Sequence, residues 1–193
     1  MIDGNIGGQT PLGPDGAEAL LLPLATRAGL NTAEALSIAS AVRWLVSERR
    51  DPDRILSEHF VRDLHRRMFA GVWRWAGEYR RSGTNLGTTW FTIPVEVRSL
   101  IDDTRVWRDT NMEPDRLAVH FSHRLVSIHP FVNGNGRHSR LAADALARSM
   151  GRPTLNWGRS TITTPGATRQ RYLDALRLAD GGNIEALLAF ARS

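Results

Sequence analysis

The chain has 193 residues, 41% of them hydrophobic and 23% charged, with a formal net charge of +5. That length and balance suit one globular domain with its own core. The absence of cysteine excludes a disulfide framework and thiolate metal ligation, and no run of eighteen apolar residues is present to span a membrane. All 25 basic side chains are arginine, and they are scattered rather than blocked into a tail. Direct nucleic-acid binding is therefore not expected. Met1 to Asn5 lacks a basic region leading into an apolar stretch, so no secretory signal and a cytoplasmic location are expected.

The first thirty residues are rich in Gly and Pro and read as an irregular arm with a short helix over 17–22. Residues 31–193 read as one helical domain. Asn31 looks like a helix cap with Glu34 as its capping-box partner, and Leu36, Ile38, Ala39, Val42, Leu45 and Val46 supply an apolar stripe. Asp51-Pro52 starts the next helix, and Leu56, Phe60, Leu64 and Met68 carry it to about Phe69. Between Glu78 and Ile93, Ser82-Gly83 and Leu86-Gly87 are turn signals and Trp90 to Ile93 is β-prone. A small β-hairpin flap is expected there. Pro94 opens a helix with Val97, Leu100, Ile101 and Thr104 on one face. Pro114 opens another, with Leu117, Phe121, Leu125 and Ile128 inward, ending at His129 before Pro130. A helix from Arg137 to Met150 stops at Gly151, and two shorter helices split by Gly181-Gly182 finish the chain. The fold class expected is mainly α, a helical bundle with one small hairpin.

The segment from His129 to Arg140 carries the chemistry. Glycines 134 and 136 allow backbone N–H groups to turn toward one point, forming an anion nest that opens a helix. Arg137 and Arg140, three apart, sit on neighbouring positions of one helical face, and guanidinium forks match phosphate oxygens. A site for a di- or triphosphate follows. His129 precedes the nest across the reversal forced by Pro130. A neutral histidine beside a phosphoanhydride is placed to accept the proton of an attacking hydroxyl. Phe131 is expected to pack beneath the loop. His138 is read as a surface residue, and the spacing of His120 and His123 as solvated or satisfied histidines rather than a metal pair.

His129-Pro130-Phe131, Gly134-Asn135-Gly136-Arg137 and Arg140 resemble the signature of the Fic (filamentation induced by cAMP) family at every fixed position but one. Leu64-His65, Phe69, Trp75-Ala76-Gly77 and Arg80 resemble its lead-in. Tyr172, Ala175-Leu176, Ala179-Asp180 and Gly182 resemble its C-terminal helix. The motif variant, with Thr10-Pro11-Leu12, is also similar to a subgroup called mobile mystery protein B. That subgroup is associated with mobile elements and with a neighbouring helix-turn-helix protein. The resemblance implies a Fic-like helical bundle and transfer of AMP from ATP to a Ser, Thr or Tyr hydroxyl of a target protein, in a toxin-like role. By it His129 is the general base. Asn133, Gly134, Asn135, Gly136, Arg137 and Arg140 bind the nucleotide's phosphates. The flap residues Gly87, Thr88, Thr89, Trp90, Phe91, Thr92 and Ile93 clamp the target by strand addition. A helix-turn-helix antitoxin-like partner and a homodimer belong to the same set of expectations.

Asn133 is the exception. The family places Asp or Glu there to hold Mg²⁺, and an asparagine carbonyl is a weaker ligand for that ion. Slower transfer, another donor, or a non-catalytic nucleotide-binding regulator of a mobile element remain open alternatives. The family's inhibitory Ser/Thr-x-x-x-Glu-Gly/Asn sequence finds no match, which leaves a glutamate from a partner protein or a divergent one such as Glu18.

Overall fold

Side-chain caps and prolines set most of the helix boundaries. The computed structural model describes residues 19–22, 26–48, 50–159 and 165–193. Residues 1–18 and 23–25 of the expected arm, with Glu18, lie outside them; the described residues 19–22 are not helical, Leu20 instead forming an isolated bridge with Trp73, and residues 27–30 are already helix. Helix α1 runs Arg27–Ser47, α2 Pro52–Ile55, α3 Glu58–Phe69, α4 Ile93–Asp109, α5 Pro114–Ile128, α6 Asn135–Ser149, α7 Pro165–Asp180 and α8 Glu185–Arg192. The Asp51 carboxylate accepts from Asp53 N–H at 2.8 Å, with Pro52 in the first turn of α2. Glu113 caps α5 through Arg116 N–H at 2.8 Å, again just ahead of a proline. These acceptors satisfy N–H groups that have no partner within the helix.

Three expected boundaries differ. α1 begins four residues before Asn31, because the Thr26 hydroxyl accepts from Gly29 N–H at 3.1 Å and caps it first. Glu34 is therefore mid-helix, and Leu36 and Val46 of the expected stripe are exposed. The single helix expected over 51–69 is broken at Leu56, whose ψ of 59° leaves helical geometry, and Ser57 then caps α3 through Phe60 N–H at 3.1 Å. The expected hairpin is absent. Among the described residues the β pairing is an isolated bridge between Leu20 and Trp73. Trp90–Thr92 instead forms a 3₁₀ turn that runs into α4. The Thr89 carbonyl accepts from both the N–H and the hydroxyl of Thr92, and Pro94 holds helical φ immediately after.

α5 and α6 form the central pair. α5 turns Leu117, Phe121 and Leu125 into a large core shared with α1 to α4. It turns Ala118 and Val119 into a smaller core under α7 and α8. Ala142 and Leu146 of α6 face the first core, and Ala143 and Ala147 the second. Truncating a fully buried ring such as Phe121 should cost about 3–5 kcal/mol. Because α5 ends at Ile128 and α6 starts at Asn135, the whole motif hangs on a short loop at one end of this rigid pair. No helix among the described residues is long and apolar enough to cross a membrane.

Candidate active site

The underside of the loop is an aromatic cage. Phe131 is fully buried and stacks on the His65 ring at 3.7 Å between centroids, 12° from parallel. His65 Nδ1 accepts from Gly77 N–H at 2.9 Å. The other nitrogen, Nε2, must then carry the proton, and it donates to the Asn133 carbonyl at 3.1 Å. Burial, followed by the neighbouring His138, holds the His65 pKa well below the usual histidine range and keeps this tautomer neutral. The Asn135 side chain spans the loop from within: its Oδ1 accepts from Phe131 N–H at 2.9 Å and its Nδ2 donates to the Phe131 carbonyl at 2.8 Å. Gly134 has φ of 78°, and a Cβ there would sit 2.4 Å from Phe69 Cζ, so both backbone and packing require glycine.

His138, expected at the surface, is buried in this cage. Its Nε2 donates to the Val61 carbonyl at 2.8 Å and its ring meets Phe131 edge-on. Nδ1 is left without a partner, and burial lowers the pKa to about 4. Helical spacing sets His138 on a different face of α6 from Arg137 and Arg140. What lies on its side of α6 is α3, not solvent.

The upper side carries His129, Arg80 and the flap. His129 ends α5 in the left-handed region, φ 53° and ψ 58°. Its pKa is lowered by burial and then by the Arg80 guanidinium, so the ring is neutral at pH 7 and competent to take a proton. Arg80, seen in the sequence only as part of the lead-in, proves central to the geometry. Its Nε donates to the His129 carbonyl at 2.7 Å, Nη1 to the Ser82 carbonyl at 2.9 Å, and Nη2 to the Thr88 carbonyl. One buried guanidinium thereby ties the end of α5 to the flap. Thr88 N–H donates to the Ile128 carbonyl at 3.2 Å, and a Cβ on Gly87 would lie 2.4 Å from His129 Cβ. The flap rests directly against the histidine, with Trp90 and Phe91 exposed and Ile93 buried.

The first intrahelical hydrogen bond of α6 runs from His138 N–H to the Gly134 carbonyl at 2.9 Å. The N–H groups of Asn135, Gly136 and Arg137 precede it at the positive end of the helix dipole, and no side chain caps them. Gly134 N–H is used elsewhere, donating to Asn133 Oδ1 at 2.7 Å. Arg140 Nε donates to the Gly136 carbonyl at 3.0 Å and its guanidinium lies 4.9 Å from the Tyr172 ring centre. Arg137 packs over Phe69 at 5.1 Å, and its Nη1 meets Glu34 Oε2 at 2.6 Å. Glu34 is 5% exposed, and its other oxygen accepts from Trp73 Nε1 at 2.7 Å.

Of the expected residues, His129 packs against Arg80 and Gly87, while Asn135, Gly136, Arg137 and Arg140 line the first turns of α6; three points qualify their expected roles. The Asn135 side chain braces the loop, which leaves its backbone N–H for an anion. Glu34, read as a capping partner, is the carboxylate that reaches Arg137; one turn of helix register hid that from the sequence. For Mg²⁺ the residues fit poorly. Asn133 Oδ1 is neutral and already accepts one hydrogen bond, and the described residues contain no group of three carboxylate or imidazole side chains able to hold a metal. His123 is satisfied by Asp180 at 2.8 Å.

Residues 55–147 match the model of the Fic/DOC family. "Protein adenylyltransferase Fic" of Drosophila persimilis is 30% identical over 135 residues, covering 67% of this chain and 25% of the relative. The protein of the same name from Drosophila melanogaster is also 30% identical, covering 67% and 26%. The chain thus spans about a quarter of the length of these curated relatives. Among solved structures, Fic-1 from C. elegans superposes with a TM-score of 0.69 at 20% identity, over 89% of this chain and 50% of that one. The N-terminal Fic domain of a Bartonella quintana VirB-translocated Bep effector, with bound ADP, gives 0.68 at 16%, over 90% and 87%. Both share the helical fold.

Proposed function

The chain carries a Fic/DOC family domain, and on that premise we propose that it is a protein adenylyltransferase, moving AMP from ATP to a hydroxyl side chain of a target protein. The observation that carries this reading is a neutral His129 at the end of α5, six residues ahead of the uncapped N-terminus of α6. The N–H groups of Asn135, Gly136 and Arg137 hold the phosphates nearest the attacked phosphorus, and Arg140 and Arg137 the more distal ones. A target hydroxyl attacks the α-phosphorus, its proton passes to His129, the bond from that phosphorus to the bridging oxygen breaks, and pyrophosphate leaves. The flap presents Trp90 and Phe91 to the target segment beside His129.

Glu34 has a place in this scheme. Its carboxylate occupies the Arg137 fork, so phosphate oxygens must displace it or share the guanidinium. This gives the domain a built-in competitor for its own donor. An antitoxin-like partner and a role on a mobile element would act above this level, on whether that competitor is released.

A second reading, a nucleotide-binding regulator without transfer, draws on the neutral Asn133. One assay separates the two. Purified protein is incubated with ATP labelled on the α-phosphate and a cell lysate, and label on protein is counted. Transfer should fall at least about 100-fold in His129→Ala, while ATP affinity stays within about twofold. Undiminished transfer in that variant removes His129 as the base. ATP binding with no transfer by the natural chain supports the second reading.

A further inference from the structure

Two Asn-Gly pairs occur in the chain, Asn133-Gly134 and Asn135-Gly136, and both lie in the loop that opens α6. Asparagine before glycine is the pairing least hindered for attack of a main-chain nitrogen on the preceding side-chain amide, because glycine adds no Cβ beside that nitrogen. The fold treats the two pairs differently.

Asn135 is locked. It is 3% exposed, its Oδ1 accepts from Phe131 N–H at 2.9 Å, and its Nδ2 donates to the Phe131 carbonyl at 2.8 Å. Its amide is thus turned to Phe131, and both buried bonds must break before it can turn to Gly136, which is costly away from water. Asn133 is in the opposite state. It is half-buried in a bend, and Gly134 N lies 2.7 Å from its Oδ1. With a carbonyl bond of about 1.23 Å, Asn133 Cγ lies within about 4 Å of that nitrogen. Among the described residues, Gly134 N–H has no other acceptor and Asn133 Nδ2 has no hydrogen-bond partner. The attacking nitrogen and the carbon it would attack are neighbours, and the group to be lost is not held. His65 anchors only the main-chain carbonyl of Asn133, which leaves this side chain free to react.

We propose that Asn133 is a site of self-modification, converted to an acidic residue by its own main chain and water. Gly134 N attacks Asn133 Cγ. The bond from Cγ to Nδ2 breaks, the Gly134 amide proton ends on the departing nitrogen, and ammonia leaves a cyclic imide. Water then adds to one of the two imide carbonyl carbons and the ring opens. The product is aspartate, or isoaspartate with the main chain routed through Cγ. Nothing is oxidised or reduced; one water enters and one ammonia departs. The product fixes a negative charge next to Gly134, the N-cap of α6, where the uncapped N–H groups present the positive end of a helix dipole. Elapsed time thereby sets the charge at this helix start.

The test is mass spectrometry of the whole chain after incubation at neutral pH in water enriched in heavy oxygen. Cleavage after arginine leaves one peptide, Leu125 to Arg137, that holds both pairs. Its fragments place the conversion, heavy oxygen marks product formed during the incubation, and the Asn133→Asp chain supplies the standard for the aspartate form. In the folded chain Asn133 should convert at least about tenfold faster than Asn135, while in urea the two rates should agree within about twofold. Asn133→Gln, whose longer side chain closes a larger ring, should abolish the conversion at this position. Equal rates at the two positions in the folded chain would overturn the proposal. So would an unchanged Asn133 over the period in which both convert in urea. The measurement needs neither nucleotide nor target, so its outcome is independent of the adenylyltransferase reading.

Discussion

The two sides of the loop between α5 and α6 follow opposite rules. Beneath it, nearly every polar atom has one fixed partner: His65 with Gly77 and Asn133, Asn135 with both main-chain groups of Phe131, His138 Nε2 with Val61. Above it, the N–H groups of Asn135, Gly136 and Arg137 are uncapped, Arg140 leans on a main-chain carbonyl, and Arg137 pairs with the Glu34 carboxylate. The lower side spends its hydrogen bonds on shape, and the upper side keeps its donors available. A phosphate site needs both, since displaceable donors bind well only if the backbone presenting them does not move.

Acidification should break the lower side first. His138 is held neutral with a pKa of about 4, below the ordinary histidine value of 6.5. The unfolded chain binds a proton more readily than the folded one, so the stability it contributes is present above pH 6.5. It is lost as pH falls toward 4, by about 3 kcal/mol in all. Urea unfolding at pH 7 and pH 4 should show the natural chain losing about that much more than His138→Gln, which keeps a donor for Val61. Equal losses would mean that His138 titrates normally.

The upper side should respond more gently. Glu34→Gln keeps an acceptor for Trp73 Nε1 but removes the negative charge at Arg137. Calorimetric titration should show ATP binding about five- to tenfold tighter, with a smaller gain for AMP. Unchanged ATP affinity would make the ion pair a fixed support of the loop and not a competitor. The smallest effect is expected at Asn133. With aspartate in its place the loop gains a charged oxygen, and AMP transfer should rise about threefold in a manner that requires Mg²⁺ and vanishes with a chelator. A magnesium titration that leaves both proteins equal would show that this loop works without a protein-held metal.

The parts of the site legible in the sequence were those whose chemistry is local. Gly134, Gly136, Arg137 and Arg140 announce an anion-binding helix start because positive φ, free N–H groups and i, i+3 spacing are properties of consecutive residues. The faces of α4 and α5 were legible for the same reason: Val97, Leu100, Ile101, Thr104 and Leu117, Phe121, Leu125, Ile128 repeat with helical period, and all are buried. Trp90 to Ile93 misled, since β propensity reports how a side chain packs more than what its backbone prefers. There the Thr89 carbonyl and Pro94 decided for a 3₁₀ turn. Glu34, His65, Arg80 and His138 could not be assigned from their neighbours in the chain. Each finds its partner far away: Glu34 at Arg137, His65 at Asn133, Arg80 at His129, His138 at Val61. The amino-acid sequence by itself determined that a helix would open on a glycine-rich turn just behind a histidine. Which carboxylate pairs with Arg137, which imidazole braces the loop and which guanidinium lies beside His129 were decided only when α1, α3 and the flap packed around it, because burial and pairing at a distance are properties of the assembled core.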